Sequence, residues 1–428
     1  MSKLDDRDYA QIGEWLAARR PGYGLTTPFY REESIYAAEI EAIWRRSWLF
    51  AGHSCQIPEP GDYFVYEMDR DSLIVIRGDD GVARALSNTC RHRGTVVCEK
   101  AAGHAGRLVC PYHQWTYARD GRLMSSRGMQ DEIERDKLGL VPAAAAEVAG
   151  LLFVCLADDP PDFELARAEF ETMIQPQGLA EAQIAQTIDY VVEANWKVVW
   201  ENNRECYHCN ANHPQYVRAN FDHYNANDTS EAVRQAMTAA IQRSEAKWGA
   251  SVHSVTHRKS GMTVFPDPAG RVWYSVNRTP MAEGYVSETM DGKQVAPLMG
   301  DYVEADVGTL RVRAVPSMWN HSSCDHAVTT RLVPLDVQRT HVQVTWLIAP
   351  GAVAGEDYQL DAVTDFWRLT SEQDWRLCRA AQRGMTSRAY QPGPLSTYKE
   401  YNVEGFLNWY VQRLSAWLEG SRADCGPR

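Results

Sequence analysis

Two cysteines and two histidines have a spacing typical of metal ligands. Cys90 and His92 form a C-x-H unit, and Cys110 and His113 form a C-x-x-H unit further along the chain. Paired thiolates and imidazoles suit a tetrahedral zinc site, or a [2Fe–2S] cluster in which the cysteines bind one iron and the histidines the other. Gly94 favours a tight loop whose backbone N–H groups can approach cluster sulfurs. The pattern therefore favours the cluster, and zinc is the alternative.

A second group of candidate ligands contains an acid and two histidines. Glu205 and His208 are three residues apart, so on a helix they would project from the same face. Pro214 disfavours helical geometry at His213, so the helix should end before it and the second imidazole can turn towards the first. Two imidazoles and one carboxylate on one face of an iron leave open positions for O₂. The carboxylate ligand must come from elsewhere in the chain, and we take Asp325, which opens a strand-like run, as this third ligand.

Other interpretations of this second group stay open. His321 and His326 are rivals to Asp325 for the third ligand position. Cys206 and Cys209 form a C-x-x-C pair that also suits zinc or redox chemistry, although the chain has no second such pair. Thiolates do not suit an oxygen-activating iron, and the two histidines read alone would also fit a zinc site or a helix surface.

Composition and charge exclude several kinds of partner. The chain of 428 residues has 44 Lys+Arg against 56 Asp+Glu and a formal charge of −12. This argues against nucleic acid or an anionic membrane surface, because both require a basic footprint. No apolar run approaches the ~18 residues of a membrane span, and the N-terminus lacks a hydrophobic signal region. Ten cysteines at uneven spacing are too few for a disulfide scaffold, so we expect a cytoplasmic protein.

The elements that position these residues indicate an α+β protein of two or three domains. Residues 1–45 have helical spacing and are predicted to pack on the catalytic domain, residues 46–160 form a small all-β domain, and residues 161–428 form a larger mixed domain. The β-rich runs of the small domain include Tyr63–Met68, Ser72–Arg77 and Val82–Ser87. In the larger domain we predict a helix from Trp196 to Cys209, strands that include 309–314 and 343–348, and two long closing helices over 356–382 and 405–419.

The motifs resemble those of the Rieske non-haem iron oxygenases over nearly the whole chain. Cys90–Gly94 with Cys110–Trp115 is similar to the Rieske motif, and Glu205–His213 is similar to the catalytic iron motif of the oxygenase (alpha) component. The resemblance implies a Rieske [2Fe–2S] domain over 46–160. Over 161–428 it implies a helix-grip-like catalytic domain, an antiparallel sheet wrapped around a long helix that contains a mononuclear Fe(II).

Glu205 narrows the resemblance to a subgroup. Most of the wider family has Asp at this place, where the acid bridges a histidine of the cluster on one subunit to the iron ligand of its neighbour. With Glu at this place, the motif resembles that of the subgroup that oxidises quaternary ammonium compounds, including the glycine betaine, proline betaine (stachydrine) and carnitine oxygenases. Further stretches resemble the betaine demethylases: Thr289–Gln294, Trp319–His321 and Tyr390–Pro394.

The resemblance implies a multicomponent monooxygenase. Electrons would come from a separate flavin/ferredoxin-type reductase that uses NAD(P)H, since the chain itself has no G-x-G-x-x-G after a strand and no plant-type cluster motif. The Rieske cluster would pass them across the interface of a homotrimer, with Glu205 as the bridge. O₂-dependent hydroxylation of an N-methyl group would give a carbinolamine that collapses to a demethylated amine and formaldehyde.

A cationic substrate requires an aromatic cage. Trp273, Tyr274, Tyr302 and Trp319 are our candidates, and residues 217–285, which depart most from the betaine demethylases, are expected to line the pocket. An aromatic or natural-product substrate is the alternative for this family. A Rieske-type electron carrier without catalysis and a zinc-stabilised binding module are the alternatives from other classes.

Overall fold

In the computed structural model of the chain, residues 4–130, 132–220, 231–249 and 273–424 are described. Much of the predicted pocket stretch, 217–285, therefore lies outside the described residues. Within the described part of the chain, no helix combines the length and the apolar character needed to cross a membrane.

The described residues form ten α-helices and sixteen strands, which are largely segregated along the chain, as expected for an α+β protein. The helices of the described chain are α1 (Asp6–Ala17), α2 (Pro28–Arg31), α3 (Glu33–Ala42), α4 (Glu164–Ile174), α5 (Trp196–Asn203), α6 (Cys209–Asn212), α7 (Pro214–Ala219), α8 (Glu231–Gly249), α9 (Leu360–Met385) and α10 (Tyr401–Asp424). The strands are β1 (Leu49–His53), β2 (Asp62–Met68), β3 (Asp71–Arg77), β4 (Ala83–Ser87), β5 (Ala102–His104), β6 (Leu108–Val109), β7 (Thr116–Tyr117), β8 (Leu123–Ser125), β9 (Pro142–Val148), β10 (Leu151–Cys155), β11 (Gln183–Val192), β12 (Tyr274–Thr279), β13 (Thr309–Ala314), β14 (Met318–Ser322), β15 (His326–Asp336) and β16 (Arg339–Ile348).

The N-terminal helices pack on the C-terminal helix. Asp5 caps α1, since its side chain accepts hydrogen bonds from the backbone N–H groups of the first turn. From α3, the buried carboxylate of Glu39 accepts hydrogen bonds from Lys197 on α5 (2.5 Å) and from Tyr410 on α10 (2.6 Å). This buried ion pair joins the N-terminal segment to the second half of the chain.

Strands β1 to β10 form the small β unit. Seven of them make the first sheet, which is antiparallel with the order β1-β10-β9-β4-β3-β2-β5, and β6-β7-β8 make a separate three-stranded ribbon. The three β-rich runs chosen from the sequence are β2, β3 and β4. Gly81 (φ 79°) and Gly121 (φ 88°), each of which follows an aspartate, supply the left-handed turn positions of the β3–β4 and β7–β8 hairpins.

The second sheet is antiparallel, in the order β11-β16-β15-β14-β13-β12. Its two faces bury different helices. Met318 on β14 packs with Phe170 of α4 in one core, whereas its neighbour Trp319 packs in the other core with Trp367 and Trp375 of α9. The antiparallel sheet with a long helix across one face confirms the fold class expected from the sequence. The face beneath α9 is the one that concerns function.

Candidate metal centres

The four predicted cluster ligands lie on two short loops. Cys90 and Cys110 are buried at the loop bases, and each loop is closed by backbone hydrogen bonds, from Gly94 N–H to the Cys90 carbonyl (2.9 Å) and from Gln114 N–H to the Cys110 carbonyl (3.0 Å). Gly94 has a φ of 77° and Gln114 a φ of 60°, so both loops turn back through the left-handed region. The hairpins on either side therefore hold two similar loops face to face.

The loop side chains form a compact donor set. The ring centroids of His92 and His113 are 4.6 Å apart, and the His92 ring stacks on Trp115. The hydroxyl of Tyr117 lies 3.2 Å from the Cys90 sulfur, which is the position of a hydrogen bond to a thiolate. The Nδ1 atom of His92 is buried with no hydrogen-bond partner in the described chain. Two sulfurs, two imidazoles and an orphaned imidazole nitrogen fit a [2Fe–2S] group.

The second centre is formed by α6, α7 and α9. The carboxylate Oδ1 of Asp374 lies 3.2 Å from Nε2 of His208 and 2.9 Å from Nε2 of His213. His213 is almost fully buried, and the other two side chains are less than one-fifth exposed. Two imidazoles and one carboxylate thus converge on a single point, which is the donor set of a facial triad.

The far sides of both imidazoles are hydrogen-bonded, which fixes their orientation. Nδ1 of His208 lies 2.5 Å from Oε1 of Glu205, and Nδ1 of His213 lies 2.7 Å from Oε1 of Gln373. Because these partners occupy the Nδ1 atoms, each ring turns its Nε2 towards Asp374. Such outer partners set the tautomer and basicity of metal-binding histidines.

Charge is concentrated at this point. Burial lowers the pKa of His208, but hydrogen bonds to Asp374 and Glu205 and the charges of both carboxylates outweigh it and raise the pKa to about 10. Burial raises the pKa of Asp374, but its hydrogen bonds to both imidazoles bring the pKa below the ordinary value. Two carboxylates beside the His208 imidazole therefore make the point where the donor atoms meet attractive to a cation.

Asp325, chosen from the sequence as the third ligand, is placed elsewhere. Its carboxylate accepts hydrogen bonds from Ser287 Oγ (2.7 Å) and from the backbone N–H of Val295 (2.7 Å), and it lies 2.9 Å from His326 Nδ1. These contacts stabilise the turn between β14 and β15. The structure does not bring Asp325 together with the two histidines, because strand position alone does not tell which side chain meets them.

The rivals His321 and His326 are also outside the triad. His326 is bound to Asp325, and His321 packs against Trp367 with 4.3 Å between ring centroids. Asp374 and Gln373 were missed by sequence reasoning. The available signal was the position of Asp374 on α9, where it continues a stripe of buried side chains spaced three and four residues apart: Trp367, Thr370, Ser371 and Cys378.

The local chain around His208 also differs from the expectation. Helix α5 ends at Asn203, so Glu205 and His208 meet across a turn and not along one continuous helix. Cys206 and Cys209 are joined by a disulfide, which the sequence did not predict. The Cys209 sulfur lies within 4.8 Å of the two imidazole nitrogens, but as half of a disulfide it is not a thiolate ligand.

Three of the four proposed cage residues lie away from the second centre. Trp273 packs against Phe153 and Phe163 on the α4 side of the sheet, and the neighbouring Tyr274 donates its hydroxyl to Leu165 on that side. The hydroxyl of Tyr302 donates to Gln177 Oε1 and accepts from Arg278.

Trp319 alone lies on the α9 side, with 5.8 Å between its ring centroid and that of Trp200. These placements do not form the predicted four-residue cage. Alternation along a strand sends neighbouring side chains to opposite faces, and the sequence did not show which face meets the triad.

Comparison with known proteins identifies the family. The Rieske [2Fe-2S] domain family matches residues 47–138, and the ring hydroxylating alpha subunit (catalytic domain) family matches residues 179–416, more than half of the chain. The chain belongs to the Rieske non-haem iron oxygenases, as their oxygenase (alpha) component, and is an oxidoreductase. Enzymes of this family use a Rieske cluster, a mononuclear iron and O₂.

Individual relatives cover the chain almost completely. The glycine betaine monooxygenase oxygenase subunit of Chromohalobacter salexigens is 37% identical, with 98% of this chain and 92% of the relative covered. The protein of the same name from Pseudomonas aeruginosa is 35% identical, with 94% and 91% covered. The carnitine monooxygenase oxygenase subunit of Acinetobacter baumannii is 32% identical over 46% of this chain and 55% of the relative.

Solved structures show the same fold. A quaternary ammonium Rieske monooxygenase superimposes with a TM-score of 0.69 at 19% identity, covering 96% of this chain and 99% of the other. Naphthalene 1,2-dioxygenase from Rhodococcus gives a TM-score of 0.64 at 19% identity, covering 97% and 99%. The fold is therefore shared by oxygenases of very different substrates.

Proposed function

We propose that the chain is the terminal oxygenase of a multicomponent monooxygenase that demethylates a quaternary ammonium, betaine-type small molecule. The observation that carries this proposal is the contact between Glu205 and His208 (2.5 Å) at a centre where two imidazoles meet one carboxylate. A glutamate at position 205 is the sequence feature in which this chain resembles the quaternary ammonium subgroup. The glycine betaine monooxygenase subunits similar over nearly the whole chain support the same substrate class.

The two donor sets have different roles in this proposal. Cys90, Cys110, His92 and His113 would hold the Rieske cluster, and His208, His213 and Asp374 would hold the mononuclear iron. Bound there, the two groups supply electron storage and O₂ activation. The chain's own contribution is orientation, because Glu205 and Gln373 hold both imidazoles with Nε2 turned inward.

The balance of the reaction defines what must be supplied. Hydroxylation of an N-methyl carbon consumes O₂, two electrons and two protons, and one oxygen atom leaves as water. The carbinolamine then loses formaldehyde and a proton, and the C–N bonding pair stays on the amine. Since no reductase motif is present in the sequence, we assign the electrons to a separate flavin/ferredoxin-type reductase that draws on NAD(P)H.

The arrangement of the subunits follows from the same proposal. The imidazole of His113 is exposed on one loop tip, where a neighbouring subunit can approach it. We place Glu205 opposite such a histidine across the interface of a cytoplasmic homotrimer, so that one acid contacts both centres. Glu205 would then be a positioning residue for His208 and a coupling residue for electron transfer.

Single-turnover chemistry tests the proposed function. The iron-replete protein is chemically reduced without oxygen and mixed with glycine betaine, proline betaine, carnitine or choline, and formaldehyde is measured after oxygen is admitted. Formaldehyde from one of these compounds, and none from the Asp374→Asn control, is the expected result. Formaldehyde from none of the four, with both metal centres filled, would overturn the quaternary ammonium assignment and favour the aromatic or natural-product alternative.

A further inference from the structure

A buried carboxylate on the α9 side of the sheet has an unused oxygen. Glu288 is 1% exposed, and its Oε2 accepts a hydrogen bond from the Trp367 indole (3.0 Å). Its Oε1 has no hydrogen-bond partner within the described residues and lies 3.6 Å from Nδ1 of His321, which is also buried and unpartnered there. Buried acids are normally fully paired, so an orphaned oxygen at this depth requires an explanation.

The surroundings of this carboxylate favour its charged form. Burial raises the pKa of Glu288, but the neighbouring His321 and the charge of Arg311 outweigh it, and the pKa lies below the ordinary value. Burial lowers the pKa of His321 to about 4, so this imidazole is neutral at pH 7. Arg311 donates to Asn220 (3.0 Å) and its guanidinium lies over the ring of Tyr216. Within the described residues, the side chain of Glu288 thus accepts one hydrogen bond, from the Trp367 indole, while His321 and the charge of Arg311 lie nearby.

Glu288 is linked to the triad through Trp367 and Tyr216. Trp367 and Asp374 are seven residues apart on α9, so they share one face and are separated by two turns, roughly 10 Å. Tyr216 follows His213 by three residues on α7, and its ring centroid is 5.9 Å from that of Trp367. Two aromatic rings therefore connect the triad to the buried carboxylate beneath the same helices.

We propose that Glu288 is a specificity-determining residue that selects a positively charged substrate, with Trp367 and Tyr216 supplying ring faces for the cation. This inference rests on the proposed function. A quaternary ammonium group cannot donate a hydrogen bond, so it is recognised by charge and by aromatic faces and not by directed polar contacts. With an N-methyl group at the triad, the ammonium lies on the side of these rings, within the field of the Glu288 carboxylate. A low-dielectric site makes that field strong.

The test removes charge while it preserves shape. Glu288→Gln keeps an oxygen that can accept from Trp367, Glu288→Asp keeps the charge, and Asp291→Asn neutralises an exposed acid of the same loop as a control. Binding to the holoenzyme without oxygen is measured by calorimetry for glycine betaine and for tert-butylacetate, in which carbon replaces the quaternary nitrogen. The ratio of the two dissociation constants reports selection for charge.

We expect Glu288→Gln to weaken binding of glycine betaine by about tenfold or more, and to leave tert-butylacetate binding unchanged or stronger. Glu288→Asp should retain much of the charge selection, and Asp291→Asn all of it. An unchanged ratio in Glu288→Gln would overturn the inference, and so would equal weakening of both ligands, which would mean that Glu288 only shapes the site. Binding is measured without turnover, so charge selection without formaldehyde would refute the proposed demethylation and leave the role of Glu288 standing.

Discussion

We expect Asp374→Asn to remove the mononuclear iron and Asp325→Asn to leave it in place. Asp374 supplies the only anionic donor atom among the three that converge, with both imidazole Nε2 atoms within 3.2 Å of its Oδ1. Asp374→Asn replaces that atom with a neutral amide. Loss of an outer partner already costs 10- to 100-fold in metal affinity, so loss of the anionic ligand should cost at least about 100-fold, or about 2.7 kcal/mol.

Asp325→Asn is the control, because Asp325 is fully buried and its hydrogen-bond partners include no triad residue. Whichever way the new amide turns, one side of it loses an acceptor oxygen, either towards the backbone N–H groups of Val295 and Ala296 or towards Ser287 and His326. A buried hydrogen bond to a charged group contributes about 1.5–3 kcal/mol, so the free energy of unfolding should fall by about that amount. The effect of Asp325→Asn is therefore on stability, and the effect of Asp374→Asn is on metal content.

Iron analysis after anaerobic reconstitution distinguishes the two. The wild type should contain about three iron atoms per chain, Asp374→Asn about two with an unchanged red-brown cluster spectrum, and the folded fraction of Asp325→Asn about three. Formaldehyde production should follow the third iron. Full iron content or turnover in Asp374→Asn would refute the assignment of the triad, and so would selective loss of the third iron from folded Asp325→Asn.

Three further outcomes follow from other contacts. Glu205→Gln should retain the iron but slow reoxidation of the cluster by about tenfold or more, because His208 loses its charged partner. The rate is measured by stopped-flow spectroscopy in a single turnover, and a normal rate would contradict the bridging role. Burial raises the pKa of Glu201 to about 7, so the folded chain binds this proton more tightly than the unfolded chain, and stability falls as pH rises from about 4.5 to 7. The melting temperature of Glu201→Gln should therefore fall less over that range than that of the wild type, and parallel curves would exclude the effect. Trp273→Ala should lower the free energy of unfolding by about 3–5 kcal/mol without changing the KM of the folded enzyme, whereas a raised KM would restore Trp273 to the substrate site.

Glu205 contacts both the triad and the local backbone. Its two oxygens divide their contacts, Oε1 to the His208 imidazole (2.5 Å) and Oε2 to the backbone N–H groups of Tyr207 and His208. The turn between α5 and α6 therefore depends on the same side chain that orients an imidazole of the triad. A change at this position affects both the local backbone and the metal centre.

Contacts close in sequence could be predicted because the chain itself limits how far apart they can lie. Cys90 with His92, Cys110 with His113, and His208 with His213 are each within five residues, so short loops bring their donor atoms together whatever the rest of the chain does. The β3–β4 hairpin of the first sheet was predictable for the same reason, since its turn contains the local pair Asp80-Gly81. The family resemblance rests on these local patterns.

Only the tertiary structure decided which acid meets the two histidines. Asp374 is 161 residues from His213, and nothing in the spacing distinguishes it from Asp325. The difference arises because α9 crosses one face of the second sheet and places its buried stripe beside α7. The same packing puts Trp319 and Trp367 on the triad side and Trp273 on the other. Sequence determines which side chains can bind metal, and long-range packing determines which of them share a site, because an interaction across that distance depends on how two distant elements dock.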